Sequence, residues 1–167
     1  MRVDIPGQKP TMHLTQNIDD ARQTIGNIIR NYTRQGIQKK QIVILTVKTE
    51  EASLLSGVSS VAGYTLAQSR DSNGIMFTSS RKFKGLESDV VIIVDVDDSC
   101  FLDDEKRRVF YVGSSRAKHF LDIVSVMDDQ HINNMVVQLT GEEKKNARLA
   151  LASFLKVKLV SGSVFSA

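Results

Sequence analysis

One short segment constrains the fold more than any other part of the chain. Residues Asp89–Val94 read Asp-Val-Val-Ile-Ile-Val, and Gln41–Val47 form a second run that is rich in β-branched residues. Continuous runs of this kind are typical of strands that are buried on both faces of a parallel sheet. Because strand-like and helix-like segments alternate along the chain, the sequence predicts an α/β fold with a mostly parallel central sheet and helices on both faces.

The other elements follow from local signals. Asn17 is a good N-cap for a helix with one apolar face, and Gly36 suits its C-terminal end. Thr140 and Glu143 have the spacing of a capping box, which predicts a closing helix that reaches Lys158. The remaining predicted strands are Met12–Thr15, Tyr64–Ala67, Ile75–Ser79 and Phe120–Val126, of which Phe120–Val126 is expected to be the last strand of the chain. The remaining predicted helices are Glu50–Leu55 and a helix from Asp103 to Gly113.

Composition narrows the class of protein. The 167 residues are 41% hydrophobic and 25% charged, which is the balance of a globular domain. The N-terminus has no apolar signal region, no apolar run is long enough to span a membrane, and Cys100 is the one cysteine. We therefore expect a cytoplasmic protein with no membrane partner. The prolines in residues 1–10 predict an incoming linker, followed by a domain at 11–139 and a closing helix and tail at 140–167.

Several kinds of site are absent from the sequence. There is no Gly-x-x-x-x-Gly-Lys-Ser/Thr, which is the loop that holds the phosphates in P-loop ATPases. The three histidines are scattered, so no metal site is expected. The strand end Val-Asp-Val-Asp-Asp at 94–98 resembles a magnesium-binding Walker B strand, but without a P-loop we favour acids that simply end a strand before a turn.

Two segments place cations and hydroxyls at the ends of elements. Ser79–Glu87 is a polar and basic loop before the strongest strand, and Arg107–Lys118 is a helix that runs into a basic turn. Backbone amides at such ends are free to bind phosphate. The residues alone leave two interpretations open, a phosphate- or nucleic-acid-binding site or a charged, solvated surface. The net charge of +3 does not decide between them.

Both segments resemble motifs of a known family. Phe83-Lys84-Gly85-Leu86-Glu87 before a hydrophobic strand resembles motif V of the UvrD/Rep-type superfamily 1 DNA helicases. Phe110–Lys118, which contains Tyr-Val-Gly-Ser-Ser-Arg-Ala, resembles their motif VI. The order of the motifs and the strand between them also match. The resemblance extends over about residues 42–124 and implies the second RecA-like domain of such a helicase, a P-loop NTPase-like fold that lacks the P-loop itself.

The resemblance also implies roles for single residues. Arg116 would be the arginine finger that reaches the γ-phosphate of ATP. The ATP-binding residues would be Gly85, Glu87 and Lys48, where Val47 and Lys48 occupy the positions of a Tyr-Arg pair in the closest relatives. The residues that contact single-stranded DNA would be Ser79, Arg81, Lys82 and Lys84.

ATP and Mg²⁺ would be bound mainly by an N-terminal RecA-like domain of the same longer protein, which is then a partner together with single-stranded DNA. The isolated domain is expected to have no ATPase activity. The alternative hypothesis is a non-catalytic module with a RecA-like shell that binds nucleic acid or protein.

Overall fold

A computed structural model describes residues 8–70 and 73–161 of the chain. Within these ranges the chain forms one eight-stranded sheet with the strand order β3-β4-β5-β2-β6-β7-β1-β8. All neighbouring strands are parallel except β3 and β4, which form an antiparallel pair at one end. The prediction of an α/β fold with a mostly parallel central sheet is therefore confirmed.

The bounds of the elements are as follows. The strands are β1 Thr11–Thr15, β2 Ile42–Thr46, β3 Ser60–Val61, β4 Tyr64–Ala67, β5 Ile75–Ser79, β6 Ser88–Val96, β7 Ala117–Val126 and β8 Lys158–Ser161. The helices are α1 Ile18–Arg34, α2 Ser99–Leu102, α3 Asp104–Ser114, α4 Asp129–Thr140 and α5 Ala147–Leu155, with a 3-10 turn at Lys39–Gln41.

The sheet separates two hydrophobic cores. Alternate residues of β2 and β6, such as Ile44 and Ile92, face the core beneath α1. Their neighbours Leu45 and Ile93 face the other core, which also receives apolar residues of α2, α3, α4 and α5. Strands with apolar side chains on both faces need helices on both faces, so the domain has three layers.

A buried carboxylate joins α1 to the sheet. Asp122 on β7 accepts a hydrogen bond from the Tyr32 hydroxyl at 2.5 Å, and its other oxygen lies 2.7 Å from Nε2 of His13. Burial, followed by the negative charge of Asp122, raises the pKa of Tyr32 far above its ordinary value. Asp122 is only 5% exposed, so these two partners compensate for the water that it loses on folding.

Local signals placed the two ends of α1 correctly. The Asn17 side chain accepts a hydrogen bond from the backbone of Asp20 at 2.8 Å and caps α1, as predicted. Gly36 has a φ of 93°, the left-handed conformation that ends a helix at little cost for glycine. Residues 1–7 of the predicted linker and 162–167 of the predicted tail lie outside the described residues.

Three predictions of secondary structure are wrong. Residues 50–55 form hydrogen-bonded turns rather than a helix. Thr140 ends α4 instead of opening a helix, because Gly141 has a φ of 83° and stops it there, and α5 begins later with Asn146 as its N-cap. The strand at 117–126 is not the last one, because β8 follows and pairs with β1. Both α5 and β8 belong to the same core and sheet as the rest of the domain.

None of the helices within the described ranges is both long and apolar enough to cross a membrane.

Candidate functional site

The segment that follows β5 crosses from one edge of the sheet to the other. All strands except β3 run in the same direction. Ser79 therefore ends β5 at the carboxyl-terminal edge of the sheet, whereas Ser88 begins β6 at the opposite edge. Residues 80–87 make the crossing, anchored by the Phe83 ring, which is fully buried. The Arg70 guanidinium lies 5.0 Å from the centre of that ring and also donates a hydrogen bond to the carbonyl of Glu87.

One predicted ATP-binding residue, Glu87, and the predicted arginine finger lie side by side at the edge where β6 and β7 begin. The backbone N–H of Ser88 donates to the carbonyl of Arg116 at 2.9 Å, which places Glu87 beside Arg116. Gly85, two residues before Glu87, has a φ of 84°, and a side chain there would meet no atom within 4 Å. The backbone at Gly85 is therefore open to solvent and in a conformation that favours glycine.

The Arg116 guanidinium has no partner among the residues that the structure describes. Its Nε atom is buried and makes no hydrogen bond, and no ion pair of this side chain occurs with any described residue. An arginine normally satisfies its donors because desolvating them without a partner costs free energy. The side chain of Arg116 is half-buried with donors still available, which is what an anion-binding arginine requires.

Lys48 lies at the opposite edge of the sheet. It follows the end of β2, where Thr46 pairs with Val94 of β6. Val94 is six residues along β6 from Ser88 (94 minus 88), which corresponds to about 20 Å at the rise of a strand. The structure thus places Glu87 beside Arg116 in adjacent strand starts but does not bring Lys48 to them.

The predicted DNA-binding cations lie after β5. The side chains of Arg81 and Lys82 are 69% and 67% exposed. Arg81 forms an ion pair with Glu105 of α3 at 3.3 Å, and Lys82 forms one with Glu50 at 2.7 Å. The hydrogen bond and the negative charge of Glu50 raise the pKa of Lys82, so this cation stays charged.

The other two predicted DNA contacts differ from each other. Lys84 is exposed, and its ammonium has no partner among the residues described. Ser79 is only 6% exposed, and its hydroxyl accepts a hydrogen bond from the backbone of Lys82 at 3.2 Å. The side chain of Ser79 therefore shapes the turn that presents the cations.

The sequence did not predict the groove beside these cations. The groove has a volume of about 390 Å³ and lies between residues 80–84 and α3. Gly113 lets α3 approach this closely, because a Cβ atom there would lie 2.7 Å from the Ser80 hydroxyl oxygen. Four α3 residues line the groove at the helical spacing i, i+3, i+4, i+7, which was the one available signal: Glu105, Arg108, Val109 and Val112.

The acidic end of β6 has a structural role. Asp95 has a φ of 66° and accepts hydrogen bonds from the hydroxyls of Thr46 and Ser53, at 2.6 and 2.5 Å, and from the backbone of Leu54 at 2.8 Å. Asp97 accepts hydrogen bonds from the backbone and hydroxyl of Ser99. The carboxylates that resemble a Walker B strand thus order the turns after β2 and β6.

No group of three or more His, Cys, Asp or Glu side chains that could hold a metal ion occurs in ranges 8–70 and 73–161.

Comparisons with known proteins agree with the motifs. Residues 74–124, which contain both motif segments, match the family described as UvrD-like helicase C-terminal domain. A solved structure, the C-terminal domain of a possible DNA helicase from Lactobacillus plantarum WCFS1, is similar at 26% sequence identity with a TM-score of 0.56. The match covers 72% of this chain and 75% of that one. No curated protein matches the chain. Residues 74–124 are therefore similar to the UvrD-like helicase C-terminal domain, and the fold is similar to that of the C-terminal domain of a possible DNA helicase.

Proposed function

We propose that this domain is the second RecA-like half of an ATP-dependent DNA helicase and supplies the arginine finger, Arg116, to the ATP site. The observation that carries the proposal is the meeting of Arg116 with Glu87 through the hydrogen bond between Ser88 and the Arg116 carbonyl. The half-buried Arg116 side chain supports it, because the guanidinium forms no ion pair with a described residue and its charge is therefore free for a phosphate from another domain.

The chemistry suits an arginine. ATP supplies the phosphoryl group, and its hydrolysis develops negative charge on the transferred phosphate. The guanidinium of Arg116 stays charged, and its planar fork can donate two parallel hydrogen bonds to phosphate oxygens. Groups of this kind contribute roughly 10³–10⁵ in rate in well-characterised phosphoryl-transfer enzymes.

Gly85 and Glu87 would contact the rest of the nucleotide. The open backbone at Gly85 lets a ligand approach without a side chain in the way. Glu87 is exposed, so its carboxylate is free to accept a hydrogen bond from a ribose hydroxyl. Lys48 stays a prediction from the motif alignment alone, since it lies at the other edge of the sheet.

Single-stranded DNA would cross the opposite edge. Arg81, Lys82 and Lys84 present three cations within four residues, all of them exposed. Phosphates would replace Glu105 and Glu50 as the partners of Arg81 and Lys82, and such contacts release counterions and weaken with salt. Ser79 would contribute through the backbone turn that its hydroxyl stabilises.

The test is DNA-stimulated phosphate release by the longer helicase that contains this domain. Arg116→Ala should lower turnover by at least about a hundredfold with the fold unchanged, because the guanidinium acts on the transition state. Arg116→Lys should recover little of that loss, since an ammonium cannot reproduce the fork. Lys118→Ala, which removes an exposed cation two residues away, is the matched control and should be nearly silent.

If Arg116→Ala and Lys118→Ala release phosphate at the same rate, Arg116 does not act in the ATP site. The same result, together with retained oligonucleotide binding, would favour the non-catalytic binding module. The 167-residue chain alone should release no phosphate from ATP, because its sequence contains no P-loop.

A further inference from the structure

We propose that the groove between residues 80–84 and α3 is a subsite for one nucleotide of the single strand, with Arg108 as an additional phosphate-binding residue. The inference rests on the proposed function, because Arg81 and Lys84 of the proposed DNA-binding cluster line this groove. A strand held by these two cations therefore passes along the groove, whose other wall is α3.

The walls of the groove fit the two parts of a nucleotide. Three cations surround it, namely Arg81 and Lys84 from one side and Arg108 from α3. Arg108 is exposed and has no ion-pair partner among the described residues, whereas its neighbour Arg107 is bound to the carbonyl of Phe101. The guanidinium of Arg108 is therefore available for a phosphate.

The apolar surface lies beside these cations. Val109 and Val112 are one helical turn apart on the same face of α3, and Val112 is 40% exposed. An exposed apolar surface next to free cations suits a ligand that is anionic at one end and flat and apolar at the other. A nucleotide within a single strand has this chemistry, and its base would pack on the two valines.

The hydroxyl of Ser80 is a second and independent sign of a ligand. Ser80 is 1% exposed, it lines the groove, and its Oγ makes no hydrogen bond with any described residue. A buried hydroxyl without a partner destabilises the fold, since it has lost its hydrogen bonds to water. A phosphate or base edge in the groove would provide the missing partner once the Ser80 side chain turns from Gly113 toward the groove.

One ion pair closes the rim of the groove. Glu105 pairs with Arg81 at 3.3 Å, and both side chains are largely exposed. Exposed pairs of this kind contribute little to stability, so a phosphate can displace Glu105 from Arg81 at small cost. In the absence of DNA, the pair places the Arg81 guanidinium at the rim of the groove.

The first test uses the 167-residue chain and a fluorescein-labelled oligothymidylate. Arg108→Ala should weaken binding by about three- to tenfold and should lower the slope of log K against log salt by about 0.7, the change for one lost phosphate contact on a single strand. Lys106→Ala is the control, since Lys106 lies on the same helix but outside the groove and hydrogen-bonds to Ser99. This control should leave the slope unchanged.

The second test separates a ligand contact from a structural one. Ser80→Ala should weaken oligonucleotide binding by about two- to fivefold while the melting temperature stays the same or rises, because the variant removes an unsatisfied buried hydroxyl. Val112→Ala should reduce the preference for oligothymidylate over an abasic strand of equal length and charge, with an unchanged salt slope, because only the base contact is lost.

The outcomes distinguish this proposal from the proposed function. If Arg81→Ala leaves oligonucleotide binding unchanged, the DNA-binding function itself fails. If Arg81→Ala weakens binding but Arg108→Ala behaves like Lys106→Ala, only the nucleotide subsite fails, and a protein occupant of the groove is then favoured. A loss of ATP affinity in Arg108→Ala without a loss of oligonucleotide affinity would also overturn the subsite, because the groove would then serve the free nucleotide.

Discussion

Asp95 should be among the most important polar residues for the stability of this domain. Its carboxylate accepts hydrogen bonds from the hydroxyls of Thr46 and Ser53 and from the backbone N–H of Leu54. The two hydroxyls in turn accept hydrogen bonds from the backbones of Lys48 and Leu55. One side chain therefore orders the whole connection that follows β2.

The expected cost of Asp95→Ala follows from these contacts. Each of the three lost hydrogen bonds contributes about 1 kcal/mol net. Alanine also tolerates the φ of 66° less well than aspartate, which adds about 1 kcal/mol. We therefore expect the free energy of unfolding to fall by about 4 kcal/mol, a large part of the total for a domain of this size. Asp95→Asn keeps one acceptor and should cost about half as much.

The assay is urea denaturation of the 167-residue chain, followed by far-ultraviolet circular dichroism. Asp98→Ala is the control, because the side chain of Asp98 caps nothing and its helical backbone accepts alanine. That control should cost less than about 0.5 kcal/mol. Equal effects of Asp95→Ala and Asp98→Ala would refute the reasoning. A Mg²⁺-dependent rise in the midpoint that disappears in Asp95→Ala would restore the Walker B interpretation.

Three smaller predictions come from other parts of the fold. Burial raises the pKa of the Cys100 thiol to about 11, so at pH 8 the native chain should react with a disulfide reagent far more slowly than the unfolded chain; equal rates would contradict the burial. The Asp128 carboxylate raises the pKa of His131, and His131 lowers the pKa of Asp128, so the pair stabilises the fold most at mildly acidic pH. The contribution of Asp128 is lost as the pH falls through the lowered pKa of that carboxyl. The contribution of His131 is lost as the pH rises through the raised pKa of the imidazole. Asp128→Asn should return the pKa of His131 toward its ordinary value in a nuclear magnetic resonance titration, and no change would refute the pairing. Gly85→Ala should lower stability by about 1–2 kcal/mol through backbone strain alone, as measured by thermal unfolding, and an unchanged melting temperature would show that the backbone relaxes.

Local sequence signals predicted two kinds of element. One kind is the helix whose ends are fixed by nearby caps, and the other is the strand that is buried on both faces. Asn17 and Gly36 bound α1 because caps depend only on nearby atoms. The runs at β2 and β6 were recognisable because both faces of each strand are buried. The turns at 50–55 were mistaken for a helix, since their conformation depends on Asp95, which lies some forty residues later in the chain.

The end of the chain shows what local reasoning missed. Asp128 caps α4 and Gly141 ends it, and Ile132, Met135 and Val136 have helical spacing. These signals were present, but the apparent capping box at Thr140 competed with them. β8 is short and its only strand partner among the described residues is β1, so no local pattern could identify it.

The site was predictable in part. The motifs placed Glu87 and Arg116 on segments that do meet, because the family pattern encodes the contact between β6 and β7. The partner of each cation was not predictable, since Glu50 and Glu105 come from separate elements. The groove beside α3 also depends on the close approach that Gly113 allows.

The position of β1 determines the order in which the domain can assemble during synthesis. β1 lies between β7 and β8, and the hydroxyl of Thr15 donates to the carbonyl of Ser125, 110 residues later. The ribosome therefore releases β1 long before either neighbour exists, while β2, β5 and β6 can already pair with one another. Contacts so distant along the chain form slowly, because a long loop must close first. β1 consequently stays without its strand partners until β7 and β8 have been made, and only then can the sheet be completed.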